Sequence, residues 1–145
     1  MSDLTVITDN IVHSSKHVQF GGASGLQDWV ELGVDWSAAT FVMTLAEVQG
    51  GAAVVTLNNA SAGTQGISAS YDASYDYTDE NGDAQTSTAT VIRPQIDEAT
   101  FEALSGFPAA PDPYELVYQL LVTPTGEPQR VIYEGTFTIN HGVGD

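Results

Sequence analysis

Residues 114–143 read YELVYQLLVTPTGEPQRVIYEGTFTINHGV. Two long apolar–polar alternations flank a Pro124-Thr125-Gly126 turn. A step of two is the side-chain period of a β-strand. Tyr114, Leu116, Tyr118, Leu120 and Val122 fall on one face of the first strand; Val131, Tyr133, Phe137 and Ile139 fall on one face of its partner. Full burial of a side chain of this size contributes about 1.5–3 kcal/mol. No other pair of neighbouring segments carries two such stripes, so the sequence predicts this hairpin as the centre of the core. Gly135 interrupts the second stripe, which marks either a bulge or a close backbone contact.

Working upstream, Phe107–Pro113 is a Pro-rich, extended link into the hairpin. Before it, Asp97–Leu104 predicts a short helix: Asp97 is a fair N-cap, Glu98 suits the positive helix start, and Phe101 and Leu104 share a face. The preceding stretch is a polar ribbon. In SYDASYDYT the alternation puts Tyr71, Ala73, Tyr75 and Tyr77 on one face, with Asp72, Ser74, Asp76 and Thr78 on the other. Asn81-Gly82 is a strong hairpin signal, and the returning AQTSTATVIR is Thr-rich, as suits a half-exposed sheet. Thr40–Val48 alternates with Phe41, Met43 and Leu45 on one face, and Gly50-Gly51 turns it into Ala52–Leu57. Asp35-Trp36-Ser37 predicts a turn held by side-chain bonds to nearby amides. Ser15–Phe20 reads as a strand ended by Gly21-Gly22, and Leu4–Ile7 as a first strand or an ordered arm.

Short strands separated by regular turn signals, with one connector helix, predict an all-β fold: an Ig-like antiparallel β-sandwich, with a barrel as the alternative. The expected organisation is an N-terminal arm over residues 1–12 and a single sandwich domain over 13–145, a size that supports a full core.

The chain of 145 residues carries 19 Asp and Glu against 3 Lys and Arg, a formal charge of −16, and it has no cysteine. Such a chain repels nucleic acid and anionic membranes, so neither is an expected partner. Thiol catalysis, disulfides and Cys-based metal sites are excluded. The acidic start MSDLTVITDN has neither the basic nor the apolar part of a signal peptide, and no apolar run approaches the ~20 residues of a membrane span. The expected product is soluble and made in the cytoplasm.

The chemistry-bearing patterns are sparse. His13, His17 and His141 lie near the two ends of the chain, without the spacing of a metal motif. There is no Gly-x-Ser-x-Gly elbow, and the many carboxylates read as an acidic surface rather than as a glycosidase pair. In DYTDENGDAQ, Asp76, Asp79, Asn81 and Asp83 offer oxygens, but their spacing departs from a calcium loop. The sequence therefore predicts no catalytic residue, no cofactor and no metal. Tyr71, Tyr75 and Tyr77, with Trp29 and Trp36, are the candidate interface residues, since aromatics are favoured at contacts between proteins; core packing is the other reading of the same residues.

The terminal hairpin also resembles the ending of small tailed-bacteriophage virion domains, including the N-terminal domain of upper baseplate proteins and related tail-fibre attachment domains. The matching positions are Tyr114, Tyr118, Thr123, Gly126, Gly135, Ile139, Gly142 and Val143. Upstream, VDWSAATFVMTL is similar to the same group's lead into a strand, with Trp36 in place of a usual Leu and Ala39 close to a usual Gly-Ala pair. The match covers about Val34–Thr56 and Tyr114–Val143 and leaves out the Tyr/Thr ribbon. The resemblance implies a non-enzymatic structural protein of the virion, located there after synthesis in the host cytoplasm. It would be a tail or baseplate accessory or adaptor, or a capsid decoration. It would contact other virion proteins and form a homo-oligomer in a symmetric assembly. An Ig-like carbohydrate- or ligand-binding module outside a virion is the alternative.

Overall fold

The computed structural model describes residues 6–22 and 28–143. The strands are β1 (Ile7–Thr8), β2 (Ile11–His13), β3 (Phe20–Gly21), β4 (Trp29–Leu32), β5 (Thr40–Ala46), β6 (Ala53–Asn58), β7 (Gly66–Thr78), β8 (Ala84–Ile96), β9 (Tyr114–Thr123) and β10 (Arg130–Ile139), with helix α1 (Glu98–Glu102) between β8 and β9. One sheet runs β1-β10-β9-β5-β6, with β2 also on β10; the other runs β3-β8-β4, with β7 on β8. In immunoglobulin lettering β5, β6, β9 and β10 are C, C′, F and G, and β3/β4, β7 and β8 are B, D and E. The fold is the expected all-β Ig-like sandwich with one short connector helix.

The terminal hairpin is the centre of the core. Leu116, Leu120, Val122, Phe137 and Ile139 are all at or below 1% exposure. They meet Phe41, Met43 and Leu45 from β5, and Ile67, Ile92 and Ile96 from the other sheet. One detail of the second stripe differs. Register slips between Val131 and Tyr133, because Ile132 is an extra residue in β10. This bulge turns Val131 to the outer face beside Leu121 and buries Ile132 in its stead. Gly135 is not the bulge. It is the close approach: a Cβ there would lie 2.6 Å from the Asp9 carbonyl oxygen.

Asp9 stands where the N-terminal chain crosses β10. β1 and β2 both pair parallel with β10, Ile7 opposite Tyr133 and Ile11 opposite Phe137. The expected arm over residues 1–12 is therefore corrected for residues 7–12. Ile11 is buried, Thr136 N donates to Asn10 Oδ1, and the Tyr118 hydroxyl donates to the Asp9 carbonyl, so this stretch is part of the sandwich. Met1–Thr5 lie outside the described residues. The strand expected over Ser15–Phe20 is also shorter, beginning only at Phe20. Ser15 explains this, since its hydroxyl accepts the His17 amide and holds a turn.

Helix α1 is a connector held by Phe101, which is fully buried. Asp97 occupies the N-cap position without capping; its carboxylate instead accepts Gln95 Nε2 at 2.8 Å. The Asp35 turn forms as expected, with its Oδ1 accepting both the amide and the hydroxyl of Ser37.

Candidate functional site

The ribbon β7–β8 is longer than the sandwich that carries it. Each strand has 13 residues, a span of about 43 Å at ~3.3 Å per residue. Only the half nearest the core packs: Ile67, Ile92 and Ile96 are buried. From Asp72 to Ser87 every residue is exposed or half-exposed. This distal half carries Asp72, Asp76, Asp79, Glu80 and Asp83, and no Lys or Arg occurs between Gly66 and Ile92.

The register splits the expected tyrosine stripe. Asp72 pairs with Ala89 but Tyr75 pairs with Ser87, so Ala73 and Ser74 together oppose Thr88. Asp72 Oδ1 accepts the Ser74 amide at 2.8 Å and stabilises this bulge. Tyr71, opposite Thr90, faces the core side of the sheet, beyond the edge of the sandwich. Tyr75 and Tyr77, opposite Ser87 and Gln85, face the outer side. Ala89 lies on that outer side, as does its partner Leu32 on β4, which is 44% exposed. Leu32, Ala89, Tyr75 and Tyr77 thus follow one another along one face, from the sandwich out onto the ribbon. Leu32 was absent from the expected set; only the pairing of β4 with β8 reveals it.

The other two expected interface residues are corrected. Trp29 and Trp36 are 5% and 6% exposed and belong to the core. The Trp29 ring stacks on Tyr133 at 4.7 Å and Tyr118 at 6.0 Å, and its Nε1 donates to Asp9 at 2.8 Å. Beside it, burial raises the pKa of Glu31, which accepts the Tyr133 hydroxyl; burial and the Glu31 charge push the Tyr133 hydroxyl above its usual range. Trp36 is fixed through buried Thr90, whose hydroxyl accepts the Trp36 amide and donates to the Val34 carbonyl, both at 2.8 Å. The Arg130 guanidinium lies 5.8 Å from the Trp36 ring centroid.

At the ribbon tip the carboxylate of Asp79 organises the turn. Its Oδ1 accepts the amides of Asn81 and Asp83, and its Oδ2 accepts Gln85 Nε2. These donors hold its pKa below the usual carboxylate range. Asp76 accepts the Thr86 hydroxyl across the ribbon at 2.8 Å. Of the four oxygen-bearing residues of this loop, Asp76 and Asp79 thus hydrogen-bond within the hairpin through their carboxylates.

The histidines are equally committed. His13 stacks on Phe101 at 4.7 Å and hydrogen-bonds the Val18 carbonyl; burial lowers its pKa. His141 hydrogen-bonds the Pro108 carbonyl. His17 pairs with Glu102 at 2.9 Å, with Glu98 one helical turn away. These last three are the residues that could hold a metal ion among the described ones; Glu98 and Glu102 sit at the surface on α1 and His17 in the turn before β3, and the His17–Glu102 pair holds the two segments together. Burial and hydrogen bonding to Glu47 raise the Tyr114 pKa to about 12, an ordinary result for a tyrosine packed at a sheet end.

No known protein family, curated protein or solved structure matches the chain.

Proposed function

We propose that the chain is a non-enzymatic structural protein of a tailed-bacteriophage virion, acting as a tail or baseplate accessory or adaptor, or as a capsid decoration, and that it docks onto other virion proteins through the distal β7–β8 ribbon. The observation that carries the docking role is the ribbon's exposure: two strands leave the sandwich with neither face covered. A two-stranded ribbon is at best marginally stable in water. Packing against a partner removes that deficit. Tyr75 and Tyr77 supply the aromatic area that interfaces favour, and Leu32 extends it onto the body of the domain.

Charge narrows the partner. The distal half of the ribbon is acidic and has no cation, so a groove bearing Lys and Arg is complementary to it, and such fields speed encounter. Two ribbons brought together would repel. The virion assignment rests on the resemblance of residues 34–56 and 114–143. It predicts that the protein co-purifies with particles in a copy number that is a multiple of their symmetry. Recovery from lysate alone, with none on purified particles, would overturn the virion reading, and the protein's position in particle density would sort tail from capsid.

The second reading is an Ig-like carbohydrate-binding module. Its support is that Tyr75 and Tyr77 share one face, as sugar platforms do. Glycan-array binding that disappears in Tyr75→Ala is the result that would favour it.

A further inference from the structure

The larger sheet has a second, quite different open surface. Its outward face is formed by β10, β9, β5 and β6, and β-pairing aligns its side chains in rows. Val131, Leu121 and Val42 make one row, and Val117 lies beside Ala46 in another. Val12 and Val54 stand at its margins, 69% and 37% exposed. Threonines fill most of the remaining positions, such as Thr44 opposite Gln119 and Thr56. The charged residues of these rows are Glu115, at one end, and Glu134. In a chain with 19 acids this face is nearly neutral. A recess of about 310 Å³, lined by Thr44, Ala46, Val117 and Gln119, opens on it beside the Gly50-Gly51 turn.

We propose that this face is a self-association surface, on which a second copy of the chain packs sheet to sheet about a two-fold axis. The occupant follows from charge. Two copies of a chain with net charge −16 repel wherever their acids meet. The neutral Val/Thr face is where that repulsion is least, and its apolar rows match themselves under a two-fold rotation. A basic partner finds almost no counter-charge here, whereas the ribbon offers five acids. Sheets pack face to face about 10 Å apart at roughly −30°, a geometry open to this face, where Val42, Thr44, Val117, Gln119, Leu121 and Val131 are half-exposed. Four strands at ~4.8 Å spacing and ~7 residues of length give a footprint of about 440 Å² per copy, below the ~800 Å² of a standard interface. The dimer is accordingly weak, and salt strengthens it by screening the remaining acids. This inference is independent of any virion role.

Sedimentation velocity over a concentration series tests it. The full chain should show a monomer–dimer equilibrium whose dimer fraction rises between about 10 mM and about 1 M salt, as the Debye length falls from ~30 to ~3 Å. Leu121→Asp, or the milder Thr44→Glu, should make the protein monomeric at every concentration while leaving its melting transition within a few degrees. A wild-type chain that stays monomeric throughout would overturn the proposal. So would a folded Thr44→Glu variant that still dimerises as the wild type does, or dimerisation that is lost on excising residues 73–86 instead.

Discussion

The molecule contains two long β-hairpins that look alike in sequence and behave in opposite ways. β9–β10 and β7–β8 both alternate tyrosine with polar residues. In the first, Tyr114, Tyr118 and Tyr133 are at most 5% exposed. In the second, Tyr71 is 41% exposed and Tyr75 and Tyr77 are half-exposed. Alternation specifies a strand in both cases. What decides burial is what packs on the face: Trp29 of the opposing sheet stacks on Tyr118 and Tyr133, whereas Tyr75 and Tyr77 have only Ser87 and Gln85 opposite them on the ladder. Length adds to the difference, because the outer half of β7–β8 runs past the strands of the opposing sheet. One hairpin is the core; the other is a surface device mounted on it.

The largest expected effect is on the first hairpin. A chain stopped after Pro113 should be unfolded by circular dichroism and proton NMR, since the central strands of one sheet are gone. A soluble 1–113 fragment that melts cooperatively would break the contrast. Next, Phe137→Ala should cost about 3–5 kcal/mol in denaturant unfolding, while Tyr75→Ala should stay within about 0.5 kcal/mol. Equal losses would show that the ribbon contributes to the core after all. Gly135→Ala should cost about 1–3 kcal/mol, because its Cβ meets the Asp9 carbonyl and Asn10 side chain. Amides of Ile7–Thr8 should then exchange faster than in the wild type; unchanged protection of the N-terminal strands would argue against the close contact.

The smallest effect is on pH dependence; its sign is the same in the two regions and its pH window differs. Burial lowers the His13 pKa below 6.5, so the unfolded chain takes up the proton first. Stability beside β10 is full above 6.5 and declines as pH falls from 6.5 towards the lowered folded value. Replacing His13 with Leu should remove that slope when wild type and variant are compared with Glu31 intact in both. In the ribbon, Asp79 has a folded pKa below 3.8, so its contribution is intact above 3.8 and is lost only as pH falls through that lower value. NMR titration of the Asp79 side-chain carboxyl carbon should therefore show its midpoint below 3.8; a midpoint at or above 3.8 would contradict the tip geometry.

The terminal hairpin, the β5–β6 pair, the Asn81-Gly82 tip and the connector helix were legible because period-two patterning and turn residues are local. The bulges were not. One extra residue at Ile132, and one at Ala73-Ser74, leave no compositional mark, yet each reverses the face of everything beyond it. That is why Val131 and Ile132 exchange places and why the three ribbon tyrosines do not form one stripe. Trp29 and Trp36 stand out in the sequence as interface candidates because their partners are remote: Asp9 lies 20 residues before Trp29, and Thr90 lies 54 after Trp36. Leu32 was invisible for a similar reason, since its neighbour Ala89 is on another strand.

The central claim is that the ribbon serves docking and leaves the fold to the rest of the chain. It is tested most directly by replacing residues 73–86 with an Asn-Gly turn and measuring melting together with binding to purified particles. The account predicts an unchanged melting transition, to within a few degrees, and loss of the variant from particles that retain the wild-type protein. A variant that fails to fold, or one that binds particles as the wild type does, would contradict it.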